Sequence, residues 1–123
     1  MKRFVLFVAL AAIASGGVTA RVPPSALLRT PREGQVVRSA PLLRWTPVRG
    51  ATYYNVQLYY RGHKVLSAWP ERARQALKHR WSYSGRQFIL RRGPYSWFVW
   101  PGFGSRTEAR YGPLLGLGTF KVR

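Results

Sequence analysis

The chain has 123 residues, 46% of them hydrophobic and 15% aromatic, enough for one domain with a real core, so wholesale disorder is excluded. It contains no cysteine, which rules out a disulfide framework, a thiolate metal site and a lipid-bearing cysteine behind a leader. Lys and Arg number 21 against 3 acidic residues, a formal charge of +18 that attracts polyanions and leaves little material for carboxylate chemistry.

The first twenty residues read as a secretory signal. Met1-Lys2-Arg3 is a short basic start, and Phe4 to Ala14 is an unbroken apolar stretch. Ser15-Gly16-Gly17 then breaks the helix, and Val18-Thr19-Ala20 offers small residues at a cleavage position. The apolar stretch is far shorter than the about twenty residues that span a hydrocarbon layer. Cleavage after Ala20 is therefore expected, so that 1–20 is a signal peptide with a helical core. An uncleaved anchor or a buried helix is the competing reading, and membrane contact is expected only through an uncleaved signal. Residues 21–29, with Pro23-Pro24, read as a linker or leader strand before a domain over 30–123.

Twelve Gly and nine Pro imply many turns, and apolar segments recur between turn signals at the spacing of an all-β sandwich. Pro41 to Trp45 is one such segment, closed by Pro47 and Arg49-Gly50. Thr52 to Tyr60 is rich in Tyr and Val, with Tyr54, Val56 and Leu58 alternating against Tyr53, Asn55, Gln57 and Tyr59. Lys64 to Trp69 is its hairpin partner across Arg61-Gly62-His63. Pro70 to Gly85 is ambiguous. Glu71 to Lys78 can form a turn or two of helix with Ala73, Ala76 and Leu77 on one face, or an irregular strand followed by a loop through Trp81 and Tyr83. Gln87 to Leu90 reads as a short strand, Tyr95 to Trp100 as a strong one ended by Pro101-Gly102, and Gly118 to Val122 as the last.

Taken together, "TPREGQVV" (Thr30 to Val37), "PLLRWTPVRGATYYNVQL" (Pro41 to Leu58), "LRRGPYSWFV" (Leu90 to Val99) and "GTFKV" (Gly118 to Val122) resemble a fibronectin type III module of bacterial exported proteins. Arg92 stands where that family usually has Pro, and 70–85 matches no simple family strand. The resemblance implies an immunoglobulin-like two-sheet sandwich. Trp45, Tyr54, Val56, Leu58, Leu90, Trp97, Val99, Phe120 and Val122 would then fill the gap between sheets about 10 Å apart. It also implies that the Tyr95 hydroxyl bonds backbone at the bend before the sixth strand.

No catalytic constellation emerges. Glu33, Glu71 and Glu108 are far apart and each lies within two residues of an Arg, the two histidines His63 and His79 sit in basic, turn-like settings, and the glycine pairs are too short for phosphate loops. No enzyme activity, cofactor or metal is expected. Binding is. Inward Tyr54 and Trp97 send Tyr53, Tyr59, Phe98 and Trp100 outward on neighbouring strands, with Arg61, Arg110 or Lys121 as flanking anion contacts. Such a face suits an envelope polymer, a glycan or a surface protein, unless 70–85 and 101–115 fold back over the rings. The second reading is a charge-driven binder of nucleic acid or anionic lipid. A cytoplasmic nucleic-acid role is disfavoured by the signal. The scatter of the cations, most of them Arg, is equally what codon bias produces.

Overall fold

A computed structural model of the chain describes residues 24–123; the expected signal peptide lies outside the described residues. Two sheets carry the fold. The smaller joins β1 (Leu28–Thr30), β3 (Leu42–Trp45) and β6 (Arg74–Ala76) in the order β1-β3-β6, all antiparallel. The larger runs from β2 (Gln35–Val37) through β11 (Gly116–Val122), β9 (Gly93–Phe103) and β4 (Tyr53–Tyr60) to β5 (His63–Ala68). A two-residue strand, β10 (Arg110–Tyr111), pairs with the end of β9. Strands β7 (Arg80–Tyr83) and β8 (Arg86–Ile89) make a separate hairpin. The fold is all-β, with its core between the two main sheets.

The core follows from the period of two. Along β4 the side chains of Tyr54, Val56 and Leu58 turn inward, and along β9 those of Tyr95, Trp97 and Val99 do the same. From β3, Leu43 and Trp45 meet them, and from β11 Phe120 and Val122. Trp45 lies edge-on to Tyr54 at 5.3 Å and 6.2 Å from Trp97, which ties the small sheet to the large one. Tyr95 stacks on Phe120 at 5.2 Å. All the expected core residues are buried except Leu90, which is half-buried at the edge of the cluster. Trp97 fits because it crosses Gly118 on β11, where an added Cβ would come within 2.6 Å of its indole nitrogen.

Turn chemistry sets the strand register. Arg61 and Gly62 both have positive φ, 49° and 86°, so they form the two-residue turn whose twist matches a hairpin, closed by the pair Tyr60–His63. Ser84 and Gly85 repeat it at 54° and 76° between β7 and β8. Within Glu71 to Lys78, left open between helix and irregular strand, Arg74–Ala76 is strand β6, and Trp81 and Tyr83 lie on β7 and not in a loop. Pro101-Gly102 does not end β9, which runs on to Phe103. The Pro101 carbonyl accepts from Gly112 N–H at 2.9 Å, so its ring nitrogen lies on that same side, away from β4, and the β4 ladder loses no donor to the proline.

Candidate binding surface

The outward residues of β4, β9 and β11 form rows across the large sheet. Asn55 pairs with Trp100, Gln57 with Phe98 and then Leu117, and Tyr59 with Ser96 and then Thr119. Phe98 and Trp100 stack at 6.0 Å with their planes 17° apart, and Tyr59 meets Phe98 edge-on at 5.3 Å. These three rings are half-buried, and Leu117 beside them is 43% exposed. Neighbouring rings support one another because ring edges carry partial positive charge and ring faces partial negative.

A chain of hydrogen bonds runs beside the rings. The Tyr59 hydroxyl donates to Gln57 Oε1 (3.0 Å), and Gln57 Nε2 donates to Asn55 Oδ1 (2.8 Å). Asn55 Nδ2 then donates to Ser67 Oγ and the Ala68 carbonyl on β5 (3.1 and 3.2 Å). Asn55 is buried and satisfied by these bonds, as a polar group taken from water must be. Partial burial, with Tyr83 close by, pushes the Tyr59 phenol up, so it stays a neutral donor. The arrangement presents flat rings beside fixed amides.

Tyr53 requires a correction. It points outward as its parity demands, yet it is only 3% exposed and cannot contact a ligand. Its ring lies over Gly102, where any Cβ would collide with it, and Tyr111 closes on it edge-on at 5.6 Å. Tyr111 in turn accepts a hydrogen bond from Trp69 Nε1 (2.9 Å), and Arg106 lies 4.2 Å over the Trp69 ring. The segment after β9 thus covers one end of the face, while Tyr59, Phe98 and Trp100 stay half-buried, with Tyr83 of β7 close to Tyr59. Trp69 and Arg106 sit at that rim without having been expected there. Their placement depends on Tyr111, more than forty positions away from Trp69 in the chain.

The three cations expected beside the rings separate. Arg61 turns toward the other side, where its Nε donates to the Tyr60 hydroxyl (3.0 Å) and its guanidinium lies over the Tyr60 ring. Arg110 is held by Glu108 at 3.0 Å, the one ion pair among the described residues, and that guanidinium keeps the Glu108 carboxyl below its ordinary range. Lys121 shares the outer face with Leu117 but stands ~14 Å further along β11. Glu33 accepts from Thr119 N–H and hydroxyl and so clamps the β2 edge. Among the described residues no group of three His, Asp or Glu side chains converges, and no helix is long and apolar enough to cross a membrane.

No family model, curated protein or solved structure matches the chain.

Proposed function

We propose that this chain is a non-catalytic, exported binding module of the fibronectin type III-like kind, which contacts a cell-envelope polymer, glycan or surface protein through the outer face of its larger sheet. The observation that carries the reading is the contiguous strip Tyr59–Phe98–Trp100, left half-exposed on the outer face of the large sheet and flanked by Leu117. Flat rings beside fixed amides suit a sugar ring or an apolar protein surface. Strand order supports the module type: β1-β3-β6 faces β5-β4-β9-β11, and Arg91 N–H bonds the Tyr95 hydroxyl at 2.9 Å, four residues upstream. Export is supported by the basic start, apolar stretch and small-residue site over residues 1–20. In pull-downs with envelope polymers and surface proteins, Phe98→Ala with Trp100→Ala should weaken capture by about tenfold or more while the chain stays folded. Undiminished capture by the folded double variant would remove the basis of this reading.

A second reading is a charge-driven polyanion binder, favoured by the single Arg110–Glu108 pair among the described residues, which leaves the remaining guanidinium groups without carboxylate partners.

A further inference from the structure

The β7–β8 hairpin stands off the free edge of β5 and encloses a cleft of about 590 Å³ against the β4–β5 turn and the start of β9. Its lining includes His63, Lys64, Arg80, Arg86 and Arg91 and not one carboxylate. The volume is that of a small-ligand site. Like charges gathered in one partly enclosed space repel, and a bound anion relieves that repulsion. Lys64 carries a separate cost: partial removal from water lowers its ammonium pKa, and a bound anion would offset that loss of hydration.

The walls are braced for the purpose. Trp81 Nε1 donates to the Val65 carbonyl at 2.7 Å, which fastens β7 to β5. Trp81 and Phe88 stack at 5.8 Å with planes 14° apart, and the Arg86 guanidinium lies 5.5 Å over Phe88. On the opposite wall Tyr60 packs on Tyr95 at 4.8 Å. These rings are engaged with one another and with arginine, so the cleft offers charge and hydrogen-bond donors, not bare faces for a sugar or a base. Arg80 and Arg86 both line the cleft, from opposite ends and alternate faces of the hairpin, ~10 Å apart along it. Guanidinium forks match the oxygens of phosphate two at a time. A carboxylated sugar chain brings one charge per ring, whereas adjacent phosphates bring enough for several cations in so small a space.

We infer that this cleft binds a segment of closely spaced phosphate groups, held by Arg80, Arg86, Arg91 and Lys64. The inference rests on the polyanion reading and gives it a location. It does not involve the Tyr59–Phe98–Trp100 strip.

Another cleft among the described residues supplies a control, because Arg29, Arg44, Arg72 and Arg74 line it with comparable charge. The experiment measures tripolyphosphate binding to the full chain by calorimetry, with Arg80→Gln/Arg86→Gln set against Arg72→Gln/Arg74→Gln. The first pair should weaken binding by about tenfold or more and the second by less than about twofold. Arg80→Lys/Arg86→Lys, which keeps the charge and loses the fork, should fall between them and serves if the glutamine variant does not fold. Phe98→Ala/Trp100→Ala should leave the affinity unchanged. Tighter binding of tripolyphosphate than of an oligonucleotide of equal charge would identify condensed phosphate as the source, and the reverse order a diester backbone; either supports the cleft. Equal losses from the two glutamine pairs would overturn the cleft and leave diffuse charge binding standing. Absence of binding by the unaltered chain, even at low salt, would overturn both.

Discussion

Tyr95 shows how one side chain joins core to bend. Its ring stacks on Phe120 inside the sandwich while its hydroxyl accepts the Arg91 N–H (2.9 Å) just before β9. Burial raises its phenol above the ordinary value of 10.0, against smaller lowering contributions from the Arg91 bond and charge. A raised folded-state pKa means that the contribution is fully present below pH 10 and is lost as pH climbs through the folded value. Tyr95→Phe should cost about 1–2 kcal/mol near neutrality, from the lost hydrogen bond, and should flatten the alkaline fall in stability. Denaturant midpoints followed from pH 7 upward would test this, with parallel curves for the two proteins as the contrary result. Trp97 contributes differently. Its indole N–H is buried without a partner among the described residues, so packing is its contribution. Trp97→Ala should destabilise by about 3–5 kcal/mol and Trp97→Phe by clearly less, read from equilibrium unfolding. Tyr53 marks the limit of such reasoning from sequence. Alternation gives its direction correctly, but its burial depends on Gly102 and on Tyr111, which alternation along β4 cannot see.

Among the elements, β4, β9 and β11 were legible because each alternates cleanly around aromatic or branched residues and is bounded by turn signals. Of the β7–β8 hairpin only the second strand was legible, as 87–90. Ser84-Gly85 between Trp81-Ser82-Tyr83 and Gln87-Phe88-Ile89 is a hairpin signal in form, but the preceding Ala73, Ala76 and Leu77 mimic a helical face. The contest is settled by pairing of Leu42, Leu43 and Arg44 with Ala76, Gln75 and Arg74, a contact between distant parts of the chain. This hairpin shares no ladder with the large sheet and is fastened to it through Trp81 and its stack on Phe88. Trp81→Phe keeps the stack and loses the bond to Val65. Amide exchange should then quicken in residues 80–89, with global stability reduced by only about 1 kcal/mol. Unchanged exchange there would show that the indole bond does not hold the flap.

Over the whole molecule, the Tyr59–Phe98–Trp100 strip and the cation-lined clefts occupy different parts of the surface. Rings gather on the outer face of the large sheet, where the segment after β9 covers Tyr53 and spares Tyr59, Phe98 and Trp100. Cations scattered in sequence converge in clefts beside the sheets, which linear inspection could not reveal because no basic run exists. The strip of rings was readable from parity, and its flanking cations were not, because Arg61 and Arg110 find nearer partners in Tyr60 and Glu108. Ligand contact at that strip is the claim on which the proposed role depends. It is tested most directly by mapping nuclear magnetic resonance shifts as soluble envelope polysaccharide fragments are added to the labelled chain. The Trp100 indole N–H and the amides of Tyr59, Phe98 and Leu117 should move most, while β1, β3 and β6 stay still. Shifts confined to the small sheet or to the β7–β8 hairpin would contradict the account.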